Sequence, residues 1–237
     1  MKKVFITGTS RGLGKALAEV YLKEGHKVVG LSRSSTILEE NYEHCIIDLS
    51  ELKAVEAFQF DIKGTFEEVI LINNAASLGE VKHIGALNNV QIAKAIQLNV
   101  VTPMILANKF TAASCNENCK RFVLNIGSGA SSSAVDGWGL YCSSKAALDM
   151  FNEVFEKENQ KKAKAIKMRT LAPGIIDTAM QEEIRNSDSN HFFEKERFVT
   201  YKTREELASA EETAKKIMLN FDLIFNNRTA VQSIRNY

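Results

Sequence analysis

Short apolar runs rich in β-branched residues alternate along this chain with longer stretches whose apolar residues recur at helical spacing. Val4-Phe5-Ile6 is the first such run, and it ends at a glycine-rich turn. Ala16, Leu17, Val20 and Tyr21 then form the apolar stripe of a helix that stops near Gly25. The same signal predicts strands over residues 27–32, 44–48, 69–73, 121–128 and 166–172, with residues 229–234 closing the sheet as an edge strand. Helices are predicted over 51–60, 89–113, 139–158 and 209–220. Ser209-Ala210-Glu211-Glu212 gives the last of these a capping-box start. Most of the strands are apolar nearly throughout rather than alternating, as burial on both faces of a parallel sheet demands. Alternation repeated this often predicts an α/β fold: one domain over residues 1–237, with a doubly wound parallel sheet of about seven strands and helices on both faces.

Composition narrows the function classes. A chain of 237 residues buries a full core without metal or disulfide staples. Thirty basic side chains against twenty-nine acidic ones leave a formal charge of +1, which gives no electrostatic case for nucleic acid or an anionic membrane. Cys45, Cys115, Cys119 and Cys142 contain no CxxC pair, so they read as free thiols of a reducing compartment. The apolar run after Met1-Lys2-Lys3 is too short for a secretory core, and the expectation is a cytoplasmic protein. One stretch, residues 181–203, departs from the pattern. It is polar and charged, with Phe192, Phe193, Phe198 and Tyr201 interspersed, and reads either as a surface insertion or as a helical lid over a pocket.

The candidate chemistry begins at the first turn, Thr7-Gly8-Thr9-Ser10-Arg11-Gly12-Leu13-Gly14, between a strand and a helix. Gly8 permits a sharp turn, while Gly12 and Gly14 remove side chains where a pyrophosphate approaches the helix N-terminus. That context points to a dinucleotide. A site for NAD presents an acid at the end of the second strand, to hold the ribose 2′-hydroxyl. This chain has Leu31-Ser32-Arg33 there, and Arg11 in the glycine turn. A guanidinium matches a 2′-phosphate that a carboxylate would repel, so the expected cofactor is NADPH. Asp48, followed by Leu49, is placed to accept from the adenine amino group. Asn73-Asn74-Ala75-Ala76 offers small residues against the cofactor, and its paired asparagines exceed what packing alone requires.

Tyr141-Cys142-Ser143-Ser144-Lys145 carries the reactive pair. A spacing of four puts phenol and ammonium on one helical face. A free phenol has a pKa of roughly 10, and a nearby cation is expected to lower it toward a useful range. Lys145 is also placed to bond a ribose hydroxyl. Ser128, thirteen positions before Tyr141, ends an apolar strand and is expected to donate to a substrate carbonyl oxygen. Asn99 is expected to anchor a water that links Lys145 to solvent. Trp138 and Met180 are candidate walls of an apolar substrate pocket, with core or dimer contact as the alternative for Trp138.

These motifs, together with Pro173-Gly174-Ile175-Ile176-Asp177-Thr178, resemble the short-chain dehydrogenase/reductase family across essentially the whole chain. The resemblance implies a Rossmann-type fold and a catalytic tetrad of Asn99, Ser128, Tyr141 and Lys145. It also implies cofactor contacts from Gly8, Ser10, Arg11, Leu13, Arg33, Asp48, Asn74, Ala75, Ile176 and Thr178, with Gly12, Gly14, Ser32, Leu49 and Pro173 beside them. Within the family, Asn73 to Val81 and Gly137 to Cys142 are similar to the sepiapterin reductases. Ser128-Gly129-Ala130, the Gly-Trp before Tyr141, and residues 177–181 are similar to the benzil reductases that form (S)-benzoin. Both groups imply NADPH-dependent reduction of one carbonyl of a vicinal dicarbonyl compound. Two departures stand out. Ala76 replaces the usual glycine, and the tail Thr229–Tyr237 carries no carboxylate side chain, which favours a less polar diketone over a pterin. A different small ketone or alcohol is the nearer alternative, and a non-catalytic NADPH-binding sensor the farther one. The resemblance also implies a homodimer or homotetramer paired through the helices around 89–113 and 139–158.

Overall fold

The computed structural model describes residues 1–113, 119–159 and 166–237, so Cys115 lies outside the described residues. In chain order the elements begin with β1 (Lys2–Thr7), α1 (Gly12–Lys23), β2 (Lys27–Ser32), β3 (Tyr42–Ile46), α2 (Leu52–Ala57) and β4 (Glu68–Asn73). α3 (Asn89–Ile96) runs through a π turn, Gln97–Val101, into α4 (Thr102–Ala112), and β5 (Lys120–Ile126) and α5 (Gly139–Asn159) follow. β6 (Lys167–Ala172) precedes α6 (Ala179–Arg185) and α7 (Lys195–Thr203); α8 (Ala210–Leu219), α9 (Phe221–Asn226) and β7 (Val231–Ser233) complete the chain. The seven strands form one parallel sheet in the order β3-β2-β1-β4-β5-β6-β7.

Two apolar layers flank this sheet, as the unbroken apolar strands require. On one face α1, α8 and α9 pack through Leu17, Tyr21, Ala214, Ile217 and Phe225. On the other, α2, α4 and α5 contribute Val55, Leu106, Phe110 and Phe155. The 24 residues Asn89–Ala112 are long and apolar enough to cross a membrane by length and composition. In this fold Leu106, Ala107 and Phe110 of that stretch are buried against the sheet.

Several boundaries differ from the sequence pattern. The helix predicted over 51–60 stops at Ala57, because Phe58 and Phe60 turn into an edge-to-face aromatic stack with Phe5 and Phe110. The helix predicted over 89–113 is interrupted by the π turn, where the Thr102 N–H donates to Gln97 O. β3 lies two residues earlier than expected, in register with β2 from Val28↔Tyr42 to Ser32↔Ile46. β5 ends at Ile126, and although the Gly127 N–H still donates to Leu171 O at 2.9 Å, Ser128 lies beyond the ladder. β7 has only three residues, fewer than the six predicted. The capping box at Ser209 forms in both directions.

Arg169 on β6 ties three elements together. Its buried guanidinium pairs with Glu156 of α5 at 2.7 Å and donates to the carbonyls of Phe225 and Asn227 at the end of α9. Replacing Arg169 with Met removes the donor from the Phe225 and Asn227 carbonyls and leaves Glu156 with the Met168 N–H in place of its ion pair. The expected loss is about 3 kcal/mol, which for a chain of this size lowers Tm by roughly 6–12 °C in a thermal melt.

Candidate active site

Because all seven strands run the same way, the loops after β1, β4, β5 and β6 open onto one edge of the sheet. Between β1 and β4 the strand order reverses, and a crevice forms where successive loops diverge. The two strand ends are tied across that point. Asn74 N–H and Ala75 N–H both donate to Thr7 Oγ1, at 2.9 and 3.0 Å, and Asn74 Nδ2 donates to Thr7 O at 2.9 Å. A cleft of about 1100 Å³ occupies this edge. Gly8, Ser10, Arg11, Gly12, Leu13, Ser32, Arg33, Asp48, Leu49, Asn74, Ala75, Ser128, Trp138, Tyr141, Lys145, Pro173, Ile176, Thr178 and Met180 all line it. Gly14 and Asn99 do not.

The residues at the β1 turn fit a nucleotide diphosphate. Gly8 and Gly12 adopt φ of +76° and +58°, a region that L side chains rarely occupy. Nothing caps the first turn of α1: Arg11, at the N-cap, makes no side-chain bond there, and no acid follows it. The first N–H groups of α1 are therefore available to an anion, with the helix dipole behind them. Gly14 serves a different purpose from the one expected. A Cβ there would lie 2.3 Å from Gly8 O and 2.4 Å from Asn74 Nδ2, so its missing side chain lets α1 pack against the turn itself. Asn73 also differs from expectation. It is buried, donating to Asn125 Oδ1 at 2.9 Å across the β4–β5 ladder, and only Asn74 of the pair reaches the cleft.

At the far end of the cleft, Asp48 accepts from the N–H and hydroxyl of Ser50 at 2.9 and 2.7 Å. The Ser50 bonds, aided by the Arg33 and Lys94 charges, hold its carboxyl below the usual range. Beneath this end Thr9, Ser32 and Tyr42 share hydroxyl hydrogen bonds, and Ser32 Oγ donates to Ser34 O. Arg11 and Arg33 are exposed at the rim.

α5 delivers Tyr141 and Lys145 from one face, 8 % and 3 % exposed. The Lys145 ammonium lies 5.6 Å from the centre of the Tyr141 ring and donates to Ile126 O at 2.7 Å. Burial lowers the Lys145 pKa to about 8, against the opposing pull of Asp149. Tyr141 departs from the expectation that its neighbour would make it more acidic. Burial raises its pKa, the Ser128 hydroxyl counters that rise, and the Cys142 thiol adds slightly to it. The physical reason is that a phenolate taken out of water loses more than these neighbours return. Ser128 itself leaves β5 in extended conformation, with its Oγ accepting from Ala130 N–H at 3.1 Å.

Asn99 sits in the π turn, 1 % exposed, and bonds to α5 at Ser144, between Tyr141 and Lys145 in the chain. Its Nδ2 donates to Ser77 O and to Ser144 Oγ at 2.7 and 3.1 Å, while its Oδ1 accepts from Ser77 N–H at 2.9 Å. Both amide hydrogens are thus committed to holding the loop after β4 against α5. No feature of the sequence pattern marked Ser77 or Ser144 as its partners.

The segment between β6 and α8 folds as α6 and α7 and forms one wall of the cleft. Trp138 stands edge-on to Tyr141 at 5.6 Å, stacks on Phe192 at 5.8 Å and meets Phe198 at 5.2 Å. Met180 packs against this cluster. Arg197, Tyr201 and Arg235 also line the cleft; the first two belong to the 181–203 stretch expected as a lid, whereas nothing in the sequence pattern marked Arg235. Arg197 is engaged by Glu194 and Tyr201; Arg235 follows β7 in the acid-free tail, at the opposite end of the sheet from Arg33.

Comparison with known proteins agrees with this geometry. The family described as short chain dehydrogenase matches residues 2–189. The chain is 34 % identical over 230 residues to a benzil reductase ((S)-benzoin forming) of Bacillus cereus, covering 92 % of each. It is 29 % identical over 209 residues to the sepiapterin reductase of Mus musculus, covering 78 % of each. The crystal structure of the KRED1-Pglu enzyme superposes with a TM-score of 0.78 at 25 % identity, covering 98 % of this chain and 100 % of that one. The chain therefore belongs to the short-chain dehydrogenase/reductase family and is an oxidoreductase acting on CH–OH and C=O groups with a nicotinamide cofactor.

Proposed function

We propose that this protein is an NADPH-dependent reductase of one carbonyl in an aromatic or vicinal diketone. The observation that carries the reading is the convergence of Ser128, Tyr141 and Lys145 on one cleft, between an anion-ready glycine turn and an aromatic wall. When bound, the nicotinamide supplies hydride to the carbonyl carbon. The chain's own residues handle the oxygen. Tyr141 gives it a proton, and Ser128, beside the phenol, positions it and favours the developing charge. Lys145 sets a positive charge behind Tyr141 and is placed to bond the ribose. Asn99 holds the Ser77 loop and α5 in register, so that the reactive pair keeps its place. The aromatic wall of Trp138 and Phe198 suits an aryl group, and similarity to the benzil reductases supports the same substrate class. A smaller ketone or alcohol is the second reading, because Ser128, Tyr141 and Lys145 act at the oxygen whatever its substituents.

Preference for NADPH is supported by the absence of an acid at the end of β2 and by Arg33 and Arg11 at the rim. Pairing of two copies through α4 and α5 is part of the same proposal, supported by Met150 and Val154, exposed on α5.

Tyr141→Phe is expected to lower kcat for benzil by about 10²- to 10⁴-fold while NADPH binding persists; retained turnover in an NADPH-oxidation assay would sink the assignment. Arg33→Ala is expected to raise KM for NADPH about tenfold and leave KM for NADH unchanged. Both cofactors, assayed against benzil, sepiapterin and simple ketones, separate the substrate readings.

Lys145 also predicts a pH dependence. Its pKa falls from 10.5 in the unfolded chain to about 8 in the fold, so between those values the unfolded chain binds more protons. Stability therefore rises with pH across that window: the cost of burying the ammonium is present below about pH 8 and is relieved toward pH 10. Urea titrations should show the wild type gaining on Lys145→Met over this range. A constant difference would show that the buried ammonium is not the titrating group.

A further inference from the structure

Asp136 lies two residues before Trp138 and does not line the cleft, yet two other segments of chain converge on it. Its Oδ2 accepts the Phe193 backbone N–H at 2.9 Å, from the stretch joining α6 to α7. Its Oδ1 meets His83 Nε2 at 3.1 Å, from the loop after β4. Its own N–H points to Glu194 Oε1 at 3.5 Å. The His83 ring in turn stands edge-on to His191 and Phe193, at 5.3 and 5.2 Å between centroids. These contacts hold the Asp136 carboxyl below its usual range, the Phe193 amide most of all, with His83 and the Gly137 amide assisting.

The next two residues carry this anchorage to the reactive tyrosine. Gly137 has φ +71°, and a Cβ on it would lie 2.4 Å from His191 O, so only glycine lets the joining stretch approach this closely. Its carbonyl accepts Lys82 N–H at 3.1 Å, which fixes the β4 loop to the same point. Trp138 then stacks on Phe192, the fully buried neighbour of Phe193, and meets Tyr141 edge-on. A continuous set of contacts thus runs from Asp136 through the Phe192–Phe193 pair and Trp138 to Tyr141.

We propose that Asp136, with His83, clamps the 179–203 segment against the start of α5, and that Asp136 is a positioning residue for bulky carbonyl substrates. With the carboxylate removed, Phe193 loses its acceptor and Phe192 is free to leave the indole face. The wall behind Tyr141 then loosens. A diaryl diketone that packs on that wall loses binding, whereas a small diketone held by Ser128 and Tyr141 does not. The catalytic consequence rests on the reductase reading above; the clamp itself does not.

Trp138 is the chain's one tryptophan, so its fluorescence reports the seating of the wall without any turnover. In Asp136→Ala, acrylamide quenching of Trp138 should rise about threefold and KM for benzil about tenfold, as loss of a charged hydrogen bond implies. KM and kcat for 2,3-butanedione and the Kd for NADPH should stay at wild-type values. Asp136→Asn keeps an acceptor for the Phe193 amide and should restore most of the shielding. His83→Ala, which removes the other half of the clamp, carries the same quenching test if Asp136→Ala does not fold. Wild-type quenching in these variants, or equal losses for benzil and butanedione, overturns the proposal. A wild-type protein that reduces neither diketone refutes the reductase reading instead, and leaves the quenching result to decide the clamp.

Discussion

The junction of Thr7 with Asn74 and Ala75 fixes the place where the sheet reverses its winding, and every functional loop is positioned relative to it. β1 and β4 are neighbours in the sheet though sixty residues separate them in the chain, and their ends are held together by hydrogen bonds to one threonine hydroxyl and one carbonyl. Gly14 completes the joint by letting α1 sit directly on the turn. The glycine turn cannot drift from the β4 loop, so an anion held at α1 lies at a fixed distance from the loops after β5 and β6. A parallel sheet gives this arrangement its reach, because all strands discharge toward the same edge.

Around that frame the candidate reactive groups are kept dry. Tyr141 and Lys145 are both nearly inaccessible, and burial pushes each toward its neutral form: the phenol up, the ammonium down. The two shifts oppose ionisation for the same reason, a medium that solvates charge poorly. Ser128 offsets part of the cost at the phenol, and the Ile126 carbonyl gives the ammonium a partner.

The cap between β6 and α8 is held by a different kind of contact. Aromatic stacking of Trp138 with Phe192 and Phe198 is non-directional enough to tolerate a shift of the segment, whereas the Asp136 carboxylate on a backbone N–H is not. Stacking provides the apolar surface and the hydrogen bond provides the register. Their meeting point is a glycine that no larger residue can replace without pushing the cap away.

Local pattern carried much of this unaided. Apolar runs marked all seven strands, Ser209 and Glu212 marked their capping box, and the glycine turn and Tyr141-xxx-Lys145 marked residues that one cleft collects. These are short-range signals, set by side-chain period and by spacing along a single element. What spacing could not carry was the environment of each group. Whether Tyr141 is made more or less acidic depends on how much protein surrounds it. The fates of Asn73 and Asn99 depend on Asn125, Ser77 and Ser144, which are remote in sequence. The early stop at Ala57 and the Asp136 clamp arise the same way. Sequence alone determined the element order and which candidate side chains share one element, because both are written locally. The tertiary structure decided burial, hydrogen-bond partners and the shape of the wall, because those depend on which distant segments the sheet brings into contact.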